Sequence, residues 1–82
     1  DDVLFGDVWE RPNLVKRDRS LITISSLVTG GNFTQLESHI RIGLKNGLTQ
    51  DEILEEFTHL AFYAGWPKAL SAIDVAKRVF SE

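Results

Sequence analysis

The 82-residue chain has no cysteine. Disulfides, thiolate metal sites and Cys-based redox chemistry are therefore outside its repertoire. It has no methionine either, so no initiator residue, which suits a processed or trimmed product. Long apolar runs are missing: the longest clean one, Leu60–Tyr63, is far too short to span a bilayer, so no membrane association is expected. The acidic start, DDVLFGDVW, lacks the basic region and long apolar core of a signal peptide. A cytoplasmic protein is the expectation. Nine Lys and Arg are interspersed with twelve Asp and Glu, giving a net charge of −3 and no basic patch for nucleic acid. There is no H-E-x-x-H, no Cys pair and no Asp/Asn cluster, so no metal is predicted. Asn32 and the Gly-Gly before it do not make a phosphate loop. No repeat or second domain is visible, and residues 1–82 are read as one domain with a modest core.

What is present is helical periodicity. Thr49–Pro67, TQDEILEEFTHLAFYAGWP, is the strongest case. At about 100° per residue, Ile53, Phe57, Leu60, Ala61 and Ala64 share one apolar face. Glu52, Glu56, His59 and Tyr63 recur beside it at i, i+4, i+7 and i+11. Four groups able to donate, accept or move a proton thus line one edge of a buried stripe. Thr49-Gln-Asp-Glu52 is a capping box that starts the helix, and Gly65 stops it.

Three further long or short helical segments precede it. Asp1–Pro12 carries Val3, Leu4, Phe5, Val8 and Trp9 at spacings that suit a short helix, weakened by Gly6 and ended by Pro12. Exposing Leu4, Phe5 and Trp9 together is costly, so this segment is expected to pack on something. After a connector over Arg11–Arg19, a helix is predicted from Arg17 to Thr29 and stopped by Gly30-Gly31. Its apolar positions, Leu21, Ile22, Ile24, Leu27 and Val28, cover more than half its circumference, which predicts burial on two sides. The next helix runs from Phe33 or Gln35 to Asn46, with Thr34-Gln-Leu-Glu37 as a capping box. Its stripe is Leu36, Ile40, Gly43, Leu44 and Gly47, and Gly43 is read as a point of close backbone approach. The last helix opens with Trp66-Pro67 and presents Ala69, Leu70, Ala72, Ile73, Ala76 and Phe80. Short connections make the neighbours antiparallel. The fold class is all-α: four main helices around a helical hairpin.

These segments also carry a resemblance. GDVWERPNL, RDRSLITISSLV, SHIRIGLKNGLTQDEI and HLAFYAGWPKALSA, in that order, resemble the carboxymuconolactone decarboxylase family over nearly the whole chain. The resemblance implies an alkylhydroperoxidase-like all-α domain assembled as a homo-oligomer, a trimer or hexamer. One branch of such proteins is similar to thiol peroxidases, with a C-x-x-C pair, a His four residues later and a Glu upstream. His39 falls where that His would be, Asn32 and Gln35 stand at the cysteine positions, and Ser20 or its neighbours replace the Glu. Without a thiolate, peroxidase activity of that kind is not expected. The other branch resembles the cofactor-free decarboxylase of aromatic catabolism acting on 4-carboxymuconolactone. Members of that branch are longer before the GDVW region.

The decarboxylase reading assigns roles to particular residues. The conjugated lactone accepts the electrons that CO₂ leaves behind, so no cofactor is implied, and the protein must bind negative groups and deliver a proton. His39 is the main candidate proton carrier, helped by Glu56, His59 or Tyr63; Arg19 and Arg41 are candidate carboxylate clamps, with Trp66 beside the substrate. Each has a plainer alternative. His39 is otherwise a half-buried residue bonded to a neighbouring helix, and His59 a partner for Glu55 or Glu56 at i−4 or i−3. Glu52 is explained as a cap, and Glu56 is otherwise solvated. Tyr63, Trp9 and Trp66 serve as packing or interface anchors elsewhere. Arg19 is otherwise a surface or subunit-interface ion pair. Arg41 lies two residues from His39 and so on another helix face, and both reach one site only if it lies between subunits. The expectation is a small carboxylated substrate. The rival readings are a non-catalytic oligomeric binding member of the family and a thiol-peroxidase relative that has lost its cysteines.

Overall fold

The computed structural model describes residues 6–82. Four helices follow in order: α1 (Lys16–Gly30), α2 (Phe33–Lys45), α3 (Gln50–Ala64) and α4 (Trp66–Phe80). The described part of the N-terminal segment is one helical turn at 6–8 followed by turns, and Trp9 is buried. The expectations for Val3, Leu4 and Phe5 lie outside the described residues. No helix among the described residues is long and apolar enough to cross a membrane.

Helix α1 packs mainly on α2 and α3 mainly on α4, while α2 also meets α4 and α1 meets α3. The core between them holds Ile24 and Val28 of α1, Leu36 and Ile40 of α2, Ile53 and Phe57 of α3, and Ala72, Val75, Ala76 and Val79 of α4. Full burial of a side chain such as Phe57 stabilises the fold by roughly 1.5–3 kcal/mol.

The turns decide where each helix begins. Gly31, at φ 73, takes the left-handed conformation that an L side chain resists. Its N–H and that of Asn32 return to Val28 and Leu27 of α1. The chain has therefore reversed by Asn32, and α2 starts at Phe33. Thr34 lies inside the helix rather than at its cap, so the predicted box with Glu37 does not form; Asn32 is the cap residue and makes no side-chain cap bond. Glu37 binds Arg41 instead. The second predicted box does form: Thr49 Oγ1 accepts from the Glu52 N–H at 3.0 Å, and the Thr49 N–H donates to Glu52 Oε1 at 2.8 Å.

Three other expectations change. Gly43 is a point of close approach, but side chains fill the space: a Cβ there would meet Leu48 Cδ1 at 3.0 Å and Ile24 Cδ1 at 3.1 Å. On α4, Leu70 is exposed, while Val75 and Val79 join the alanines in the core. The alanine face draws α4 close to its neighbours, and the valines flank that face whereas Leu70 points away. On α1, the buried face is Ser20, Ile24 and Val28, and Ile22 is 56% exposed. Two-sided burial of α1 is not reached within one chain.

Candidate active site

Where α1 meets α3 an open groove of about 410 Å³ runs between the helices. Its α1 wall is Arg17, Leu21 and Ser25, spaced every fourth residue and therefore stacked on one face. Its α3 wall is Glu52, Glu55, Glu56, His59 and Leu60. The groove is thus a carboxylate-rich edge with apolar sides, Leu21 and Leu60, and one cation.

Glu56 is the chemically distinctive group. Its Oε2 accepts from the Ser25 hydroxyl at 2.5 Å across the two helices. Its Oε1 is buried with no hydrogen-bond partner among the described residues. Burial disfavours the charged form and the single serine bond offsets this only in part, so the carboxyl is pushed up to about 7. At neutral pH both protonation states are populated, which is what a general acid or base requires.

Arg17 stands at the cap end of the same groove. Its guanidinium pairs with Glu52 Oε2 and reaches Asp18 at 3.2 Å. The hydrogen bond to Glu52 raises Arg17 further. Glu52 is held below the usual carboxylate range, first by the Thr49 N–H and then by Arg17.

The structure brings together only part of the predicted set. Glu56 and His59 share the groove; His59 stacks on Tyr63 with ring centroids 4.9 Å apart, which continues the row along α3. Tyr63 itself is 78% exposed and does not line the groove. Trp66 is also exposed and meets Phe62 edge-on at 5.5 Å. His39 lies elsewhere, half-buried with its ring stacked against Trp9 at 6.4 Å, and burial lowers its pKa. His39 and the polar flank of α3 therefore do not converge in one chain. The two predicted clamps are engaged in structural contacts. Arg19 donates to the carbonyls of Leu14 and Arg11 and so ties the connector to α1. Arg41 binds both oxygens of Glu82 and one of Glu37 at the surface. Sequence reasoning missed Arg17 and Ser25. Their fourfold spacing with Leu21 was visible, but nothing in the sequence said that this face of α1 meets Glu56. Among the described residues no group of three or more His, Cys, Asp or Glu side chains is placed to hold a metal ion.

Comparison with known proteins gives this geometry a family. The model of the carboxymuconolactone decarboxylase family matches residues 1–78. The chain belongs to that family. It is 40% identical over 78 residues to a 4-carboxymuconolactone decarboxylase of Acinetobacter baylyi, covering 95% of this chain and 58% of the relative. It is 33% identical over 78 residues to the nitrosuccinic acid decarboxylase npaB of Metarhizium robertsii, covering 95% of this chain and 54% of the relative. The chain thus spans somewhat more than half the length of these two relatives.

As a cysteine-free member of the carboxymuconolactone decarboxylase family, it carries other residues where the thiol branch would have its relay. Asn32 and Gln35 are exposed. Ser20 is fully buried and accepts from Asn46 Nδ2 at 3.0 Å, an inter-helix tie between α1 and the end of α2. The groove that gathers Arg17, Ser25, Glu52, Glu56 and His59 lies instead between α1 and α3.

Proposed function

We propose that the α1–α3 groove is a decarboxylase site acting, without a cofactor, on a small carboxylated and unsaturated lactone or ring. The observation that carries this reading is Glu56: a carboxyl raised to about 7, placed in an apolar-sided groove that also contains an arginine. Family membership and the two decarboxylase relatives support the reaction class.

The chemistry follows from the groups present. The carbon–carbon bond to the departing carboxylate breaks, CO₂ leaves, and the electron pair spreads into the conjugated carbonyl of the substrate. Protonated Glu56 returns a proton to carbon and is left ionised; it regains a proton from water before the next turnover. Leu21 and Leu60 favour a step that converts a carboxylate into neutral CO₂. Arg17 binds a carboxylate that is retained, taking it in place of Glu52 Oε2. His59 borders the proton path, and Tyr63 stacks on His59 from outside the groove.

His39 is the second proton carrier in this reading. It is half-buried against Trp9, and desolvation favours its neutral form, which can accept a proton. Because it does not line the groove, it acts through a site completed by a second copy. The exposed Ile22, Phe62, Tyr63, Trp66 and Leu70 support a homo-oligomer, for which a trimer or hexamer is the proposed form. The test of the substrate is direct: incubate the protein with 4-carboxymuconolactone and follow its absorbance. Loss faster than the spontaneous rate supports the proposal, and loss at that rate rejects this substrate.

A further inference from the structure

We propose that Ser25 is a positioning residue for Glu56: its hydroxyl donates to Oε2, holds the carboxyl between α1 and α3, and leaves Oε1 to carry the acid proton. The inference rests on the reading of Glu56 as the acid of the groove.

Three other hydroxyls show the local bond that Ser25 forgoes. Serine and threonine inside helices tend to bond back to the carbonyl four residues earlier. Thr23 does so to Arg19 at 2.8 Å, Thr58 to Leu54 at 3.1 Å, and Ser81 at the end of α4 to Lys77 at 2.8 Å. Ser25 instead crosses to a side chain 31 residues away. A carboxylic acid has one O–H, and an oxygen that accepts the serine proton is the carbonyl-like one. In that arrangement the acid proton sits on Oε1, which is buried and has no partner among the described residues. When Glu56 ionises, Ser25 is the donor that stabilises the charge. The charged and titratable groups around it are Arg17 on α1 and Glu52, Glu55 and His59 on α3. Arg17 is already paired with Glu52 and Asp18, so its cation is largely compensated.

The test needs no turnover. Protein carrying ¹³C-labelled glutamate is titrated by NMR, and the Glu56 carboxyl is followed in the parent, Ser25→Ala and Ser25→Thr. Alanine favours a helix more than serine does, so the first variant should fold. Removing the donor should raise the Glu56 midpoint by about one pH unit, and Ser25→Thr should return it toward the parent value. The alkaline limb of a pH–rate profile, where the acid loses its proton, should move with the NMR midpoint. An unchanged or lowered midpoint in Ser25→Ala would overturn the role of Ser25 and leave the Glu56 reading standing. A parent midpoint near the ordinary glutamate value would overturn both. Failure of 4-carboxymuconolactone to react would bear on the substrate alone.

Discussion

Arg17 and Glu52 close one end of the groove with an ion pair, and Glu52 makes that pair while capping its own helix. Its Oε2 meets the guanidinium, and its Oε1 keeps the Thr49 N–H at 2.8 Å. An incoming carboxylate can therefore displace Oε2 without undoing the start of α3. Replacing Glu52 by Gln should preserve the cap, since glutamine also serves in a capping box, while leaving Arg17 without its charged competitor. The expected result is a several-fold lower KM for a carboxylated substrate. Arg17→Ala should move KM the other way. Steady-state kinetics on the two variants checks both directions.

Glu56 makes stability depend on pH with a definite sign. Its pKa is near 7 when folded against an ordinary value of 4.5. The folded state thus holds a proton that the unfolded chain releases. The group's contribution to stability is fully present below about pH 4.5 and is lost as the pH rises through about 7. Glu56→Gln removes that loss. The variant should be more stable than the parent at about pH 8, by on the order of 2 kcal/mol after allowance for partial solvent screening, and show no such gain at about pH 4. Urea unfolding at the two pH values measures the difference.

Gly43 tests the α1–α2 contact. Alanine is favoured over glycine in a helix by about 1 kcal/mol. Here the added methyl would press on Leu48 and Ile24, both buried, at 3.0 and 3.1 Å. Overpacking of a filled core costs roughly 1–3 kcal/mol, so Gly43→Ala should be destabilising overall by about 1 kcal/mol. Thermal or urea unfolding checks the sign.

The exposed aromatic cluster bears on assembly. Phe62 and Tyr63 are 74% and 78% exposed, Trp66 and Leu70 are exposed as well, and Phe62 meets Trp66 edge-on. In the proposed oligomer this surface is covered. Sedimentation equilibrium should give a multiple of the 9.2 kDa chain mass, with a trimer or hexamer expected. A folded species at the single-chain mass would contradict the oligomer.

Local signals in the sequence carried the helices well, and contacts between helices carried the site. Thr49 and Glu52 form a box because both lie in one turn and the preceding residues leave Thr49 extended. The same pattern at Thr34 failed because Gly31 reverses the chain early, and a four-residue motif contains no information about that turn. Leu70 looked like core because it is large and apolar, yet α4 packs through its small residues. The stripe of α3 identified Glu56 as more than a cap. What it lacked was Ser25 and Arg17, which reach Glu56 and Glu52 only through the way α1 lies across α3. The family resemblance points to His39, and its separation from the groove is a tertiary fact that no spacing records.

Turnover of 4-carboxymuconolactone by the parent, Glu56→Gln and His39→Ala proteins under identical conditions tests the central claim most directly. If Glu56 supplies the proton, its replacement should lower the rate by roughly 10²–10⁴-fold while the fold is kept. A Glu56→Gln protein that retains the parent rate, above all beside a His39→Ala protein that has lost it, would contradict the account.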